Sequence, residues 1–182
     1  MHFLDNRDMF DVMHPGFFDQ PHIRAIDPDD TYSEMILDLK SYQPAPPVPV
    51  KGDIQYVTWE GNKALLYEAV RKVIPEWVPI FETIDDPVLC GMEDNHILSF
   101  CILENMKSYK GLRIGGPGCV GTVPEARGRG VGLRMVQIAT EHFQREGYDI
   151  SYIHYTGVAP WYAKLGYQTI LTWNRDGLIL NE

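Results

Sequence analysis

The sequence predicts an α/β or α+β fold, a mixed and mostly antiparallel sheet that holds one parallel strand pair and is flanked by helices. Three observations predict it. The strand-like "GCVGTV", a helical run from about Gly130 to Glu146 and the β-rich "DISYIHYT" follow one another with short connections, and such a crossover sets its two strands parallel and side by side. Ahead of it, "PVLCGMEDN" and "HILSFCILENM" read as strands turning around Glu93-Asp94-Asn95, and with "GCVGTV" they make an antiparallel meander. Finally, 182 residues with 45% hydrophobic and 12% aromatic content are enough to bury one core.

The elements follow in chain order. Residues 1–50 form a lead segment in which "TYSEMILDLKSY" supplies one strand and "QPAPPVPVKG" is a stiff, proline-rich connector. The compact domain is expected over residues 51–182. It opens with the alternating "DIQYVTW", and Asn62 is placed to cap a helix in "KALLYEAVRKVI". Pro75 and Pro79 bound a short helix or turn. In the long helix Val131, Met135, Val136, Ile138, Ala139 and Phe143 share one arc of roughly 160° at about 100° per residue. Arg134, Gln137, Thr140, Glu141, Gln144 and Arg145 fill the opposite side. A short helix in "APWYAKLG" and a hairpin turning at Asn174 to Gly177 complete the chain. The lead segment and this hairpin both offer strands that either cover their own sheet or pair with a second copy in a homodimer.

Charge and cysteine content exclude several functions. A formal charge of −9 lacks the basic face that phosphate-tracking proteins need, so a nucleic-acid partner is not expected. Cys90, Cys101 and Cys119 are widely spaced, without a CxxC pair, and read as small apolar residues of a reducing cytoplasm. No apolar run reaches membrane-spanning length, and "MHFLDNRDMFDVMH" lacks the regions of a signal peptide, so no membrane partner is expected. His14 and His22 with Asp11 and Asp19 have no recognised ligand spacing, so no metal is expected.

The chemistry is concentrated in "VPEARGRGVGL". Alternating glycines ahead of a helix leave several amide N–H groups free to converge, and the helix dipole adds positive charge, which makes a phosphate cradle. Arg127 and Arg129 can add charge-assisted bonds. A dinucleotide fingerprint fails because its third glycine would fall on Leu133 or Met135, and the chain contains no Gly-Lys-Ser or Gly-Lys-Thr for a P-loop. What remains is Arg127-x-x-Gly130-x-Gly132 between a strand and an amphipathic helix, followed downstream by "WYAKLGY", Trp161 to Tyr167.

In these two motifs, their order and their flanking elements, the sequence resembles the GNAT superfamily of acyl-CoA-dependent N-acyltransferases. The resemblance covers roughly Asp53 to the C-terminus. It implies a central parallel pair that splays apart to admit the pantetheine arm of acetyl-CoA, with Val120, Gly121 and Thr122 beside that arm. Arg127, Gly128, Arg129, Gly130, Val131, Gly132 and Leu133 would wrap the pyrophosphate. The implied activity is acetyl transfer from acetyl-CoA, the co-substrate, to a primary amine of a small molecule or peptide, by direct attack on the thioester. The alternative is a non-catalytic acyl-CoA sensor.

Tyr162 matches the family's general acid, since a phenol can protonate the departing thiolate; its other reading is a packed tyrosine. His154, near the end of its strand, is of the right type to take the amine's proton, against a structural role for a lone histidine. Many relatives place an Asn several residues before the tyrosine, whereas this chain has no Asn from Ser151 to Tyr162, so that cofactor contact is not carried over. By analogy with the family's acceptor side, Glu76, Trp77, Phe81 and Glu82 in "PEWVPIFETIDDP" offer charge and aromatic faces to a cationic amine; their other reading is a solvated acidic loop with core aromatics.

Overall fold

The computed structural model describes residues 5–179. The described residues form two compact units, one comprising residues 5–42, 106–115 and 147–179 and the other residues 43–105 and 116–146. Among the described residues, hydrogen bonding orders eight strands, numbered in chain order β1 (Tyr32–Asp38), β2 (Gln55–Thr58), β3 (Val88–Glu93), β4 (His96–Asn105), β5 (Ile114–Thr122), β6 (Ile150–Thr156), β7 (Gln168–Asn174) and β8 (Gly177–Ile179), as β2-β3-β4-β5-β6-β1-β7-β8.

The second unit holds β2 (Gln55–Thr58), β3 (Val88–Glu93), β4 (His96–Asn105) and the later part of β5 (Ile114–Thr122). Strand β2 runs antiparallel to β3 and β3 to β4, and the tight β3–β4 turn uses positive φ at Asp94 and Asn95. Helix α3 (Lys63–Val73) starts where Asn62 accepts a bond from the Ala64 amide, as expected of that cap. A 3₁₀ turn at Pro75–Trp77 leads into α4 (Val78–Thr83). Helix α5 (Val131–Arg145) buries Val131, Met135, Val136, Ala139 and Phe143, the expected arc, with Ile138 at its half-buried margin. The core of this unit joins Leu66, Val70, Phe81, Cys90, Phe100 and Val131.

On the opposite, polar side of α5, Gln137 and Thr140 are fully buried as well. The proline-rich segment lies over that face. Gln137 Nε2 donates to the carbonyls of Ala45 (3.0 Å) and Pro46 (3.1 Å), and its Oε1 accepts from the Val48 amide (2.8 Å). Thr140 satisfies its hydroxyl on the Val136 carbonyl, one turn back. Prolines carry no N–H, so a proline-rich strap leaves carbonyls needing donors, and a buried glutamine amide supplies them.

The first unit contains α1 (Asn6–Met13), a 3₁₀ turn at Phe17–Asp19, α2 (Pro21–Arg24), β1 (Tyr32–Asp38), the start of β5, β6 (Ile150–Thr156), α6 (Ala159–Ala163), β7 (Gln168–Asn174) and β8 (Gly177–Ile179). The expected parallel pair is present, with Ile114 beside Ile150 and Gly115 beside Ser151, and both strands run on past that short ladder. Strand β1 lies between β6 and β7, antiparallel to both, so it covers its own sheet and has no edge left for another subunit. Helix α1 sets Met9 and Met13 against Ile36, Ile114, Ile150 and Tyr152. The expected boundary at residue 50 is therefore not the division seen: the lead strand is built into one unit, and the connector is built into the other. Among the described residues no helix is long and apolar enough to cross a membrane.

Candidate functional site

The glycine-rich loop of the second unit turns through two left-handed residues, Gly128 (φ 74°) and Gly130 (φ 84°), and Gly130 is the N-cap of α5. No side chain caps that helix start, so its first amides keep their donor capacity. A Cβ on Gly128 would meet nothing within 4 Å, which leaves open space beside the loop. Val131 and Gly132 are buried, Leu133 is half-buried and Arg127 is exposed, with its Nε 3.3 Å from the Thr122 carbonyl.

Two residues assigned to the cradle have another task. Arg129 donates from Nε and Nη2 to the Lys51 carbonyl (3.0 and 2.9 Å) and from Nη2 to Glu93 Oε1 (2.6 Å), while its own carbonyl accepts from the Lys51 amide. Its charge is answered by Glu93, whose carboxyl the guanidinium holds below the ordinary range. Arg129 thus ties the connector to the loop rather than pointing its fork away from the protein. Gly130 is glycine for a related reason, since a Cβ there would lie 2.2 Å from the Pro49 carbonyl oxygen.

The stretch expected beside the pantetheine arm occupies the end of β5. Cys119 takes φ 45°, which bends the strand just where Val120 to Thr122 begin. Val120 and Thr122 are half-buried. Gly121 is buried, and a Cβ there would fall 2.2 Å from the Phe100 ring, so this glycine makes room for a core aromatic. Burial pushes the Cys90 and Cys119 thiols up to about 12 and raises that of Cys101 too, leaving no thiolate nucleophile among the three.

Of the acceptor-side residues, Glu76 and Glu82 are exposed and Trp77 is half-buried. Phe81 does not belong with them. It is 3% exposed and meets Phe100 edge-on at 5.4 Å, a core ring with no face to offer a ligand.

In the first unit Tyr162 sits on α6, 6% exposed, edge-on to Trp161 (4.8 Å) and Tyr167 (6.1 Å). The Tyr167 hydroxyl is itself held by Ser151 at 2.6 Å. His154 is reached by a residue the sequence reading passed over. Glu34, at a bulge in β1, has no exposed surface and accepts four bonds: on Oε2 from Tyr152 OH (2.7 Å) and His154 Nδ1 (2.9 Å), on Oε1 from Trp173 Nε1 (2.7 Å) and the Tyr155 amide (3.2 Å). Tyr155 takes φ 56° to turn its N–H inward. A buried carboxylate needs this many donors. The only sign of it in the sequence is an acidic residue amid the apolar positions of a strand.

His14 lies face to face with His154, ring centroids 3.8 Å apart and planes 11° from parallel. Glu34, His14 and His154 bring potential ligand atoms within 4.8 Å of one another, a grouping that local spacing around His14 did not reveal. Imidazole lone pairs lie in the ring plane, so stacked rings aim them side by side rather than at one point, and both Glu34 oxygens already accept. The arrangement is that of a hydrogen-bonded pair under a stacked cover.

Burial, and secondarily the neighbouring His154, push the His14 pKa from 6.5 down to about 4. The folded protein therefore holds His14 neutral where the unfolded chain would take up a proton. Its contribution is complete above pH 6.5 and is lost as pH falls toward 4, up to about 3 kcal/mol. Urea titrations across that window should show the decline in wild type and a flatter profile in His14→Phe, which keeps the stack. An equal decline in the variant would assign the effect to other groups.

No protein-family model matches the sequence, and no curated protein matches it. Solved structures do. A glucosamine N-acetyltransferase region of a fungal multi-domain GH3 β-N-acetylglucosaminidase superposes with TM-score 0.65 at 20% identity, over 80% of this chain and 20% of that one. A GCN5-related N-acetyltransferase from Sphaerobacter thermophilus gives TM-score 0.64 at 22% identity, over 81% of this chain and 51% of that one. The fold is the GNAT fold. A tandem GNAT protein from the clavulanic acid biosynthesis pathway agrees at TM-score 0.60 and 15% identity, over 80% of this chain and 52% of that one. The chain thus spans from a fifth to about half the length of these GNAT structures.

Proposed function

We propose that the chain transfers an acetyl group from acetyl-CoA to a primary amine. The observation that carries this reading is the uncapped start of α5 behind two left-handed glycines, with open space at Gly128, in a chain of GNAT fold. Converging amides and a helix dipole suit a pyrophosphate, and Arg127 is the arginine left to add charge. Acetyl-CoA supplies an activated thioester and a thiolate leaving group.

The chain's own residues supply the proton transfers. His154 accepts a proton from the ammonium form of the acceptor and releases it to solvent, the freed amine forms the new C–N bond, the C–S bond breaks as Tyr162 protonates the sulfur, and the proton shed by the acylated nitrogen returns the Tyr162 phenolate to the phenol. Glu76, Trp77 and Glu82 favour a cationic acceptor. Val120 and Thr122 line the strand assigned to the pantetheine arm.

Thiol release measured over a panel of primary amines, with acetyl-CoA binding followed by calorimetry on the same preparation, tests the reading. Binding with amine-dependent release is expected. Binding without release on any amine would favour the acyl-CoA sensor, and absence of binding would remove both.

A further inference from the structure

We infer that Glu34 is the positioning residue of a Glu34–His154 pair, fixing the imidazole in the tautomer that carries its proton on Nδ1 and leaves Nε2 as the basic nitrogen. The inference deepens the proposed acetyl transfer and, for its catalytic meaning, rests on that reading. As a carboxylate Glu34 can only accept, so the 2.9 Å contact requires Nδ1 to be the donor. Oε1 is taken by two groups that can only donate, the Trp173 indole and the Tyr155 amide, and Oε2 is shared with Tyr152 OH, which fixes the carboxylate's orientation.

The ring cannot readily turn away. His14 covers one face at 3.8 Å, and Phe17 meets the ring at 5.2 Å and 70°. His154 nevertheless keeps a quarter of its side chain exposed while Glu34 keeps none. With Nδ1 committed to the buried carboxylate, Nε2 is the ring nitrogen left to meet an ammonium group. Fixing tautomer and orientation by a carboxylate behind the ring is what makes a histidine an efficient base.

The test begins on the wild-type chain with ¹⁵N-labelled histidine. NMR at neutral pH should find His154 as the Nδ1–H tautomer, with an unprotonated Nε2 when neutral. The Nε2–H tautomer would overturn the assignment without any variant being made. Glu34→Gln should then mix the tautomers and lower kcat by about 100-fold, with KM for acetyl-CoA unchanged. Part of that loss should return at higher pH, where more of the acceptor is already free amine. Glu34→Asp, which keeps the carboxylate, should recover part of the activity. A folded Glu34→Gln variant with undiminished kcat would overturn the positioning role, whereas undiminished turnover in His154→Gln would overturn His154 as base. If no amine is acetylated at all, the proposed function fails, and the tautomer measurement still decides what Glu34 does to His154.

Discussion

Replacing Tyr162 with phenylalanine is expected to lower kcat by about 100-fold while leaving acetyl-CoA affinity nearly unchanged. The substitution removes one hydroxyl and keeps the ring that packs on Trp161 and Tyr167, so a melting temperature measured beside turnover separates a chemical loss from a structural one. A thiol analogue of acetyl-CoA with a more acidic leaving group should narrow the gap, because a better leaving group relies less on protonation. Tyr162 is 6% exposed, which is also what a packed tyrosine would show. Near-normal turnover with bound cofactor would make it one. Affinity must be measured beside turnover, since a loss of both would report on the cradle and not on the acid.

Gly130→Val is expected to cost about 4 kcal/mol of stability even with no ligand present, from a β-branched residue forced to φ 84° and a Cβ driven into the Pro49 carbonyl. Sequence reasoning would have attributed damage at Gly130 to a blocked pyrophosphate. The structure moves that test to Gly128. An alanine there meets no atom within 4 Å and carries only the left-handed penalty of about 1–2 kcal/mol, so Gly128→Ala should fold and bind acetyl-CoA more weakly. Thermal melts of both variants, with and without acetyl-CoA, separate the two effects. An unchanged melting temperature in Gly130→Val would mean that the connector does not lie against the loop.

What was legible in the sequence is what local period and turn chemistry control. The strand runs and turn of β2 to β4, the 3.6-residue period of α5, the Asn62 cap and the β7–β8 turn depend on neighbours a few residues away, and they stand where expected. Helix α2 escaped because "HPGFFDQPH" carries prolines and a glycine but no helical period, whereas α1 did carry a local signal, the Asp5 cap ahead of Met9, Phe10 and Met13 on one buried face. The functional assignments that changed share another cause. Arg129 is claimed by Lys51, 78 residues away, Gln137 by Pro46, 91 away, and Glu34 by Tyr152 and Trp173, 118 and 139 away. An arginine in a glycine loop looks free to bind phosphate until the carbonyl that occupies it is known. Phe81 shows the converse: its aromatic face was counted as available, and Phe100 had already taken it.

The place of β1 between β6 and β7 has a consequence for how the chain reaches its native state. Almost everything β1 pairs with is made more than a hundred residues later, so loop closure must be met before its ladder returns any free energy. During synthesis the second unit can gather β2 to β5 and α5 while β1 still waits as an unpaired edge with an acidic residue at its bulge. Until Trp173 has emerged, that carboxylate lacks its indole donor, and burying it is unfavourable. Burial of Glu34 is therefore favourable only once β6 and β7 supply its donors, which couples closure of the first unit to the arrival of the C-terminal strands.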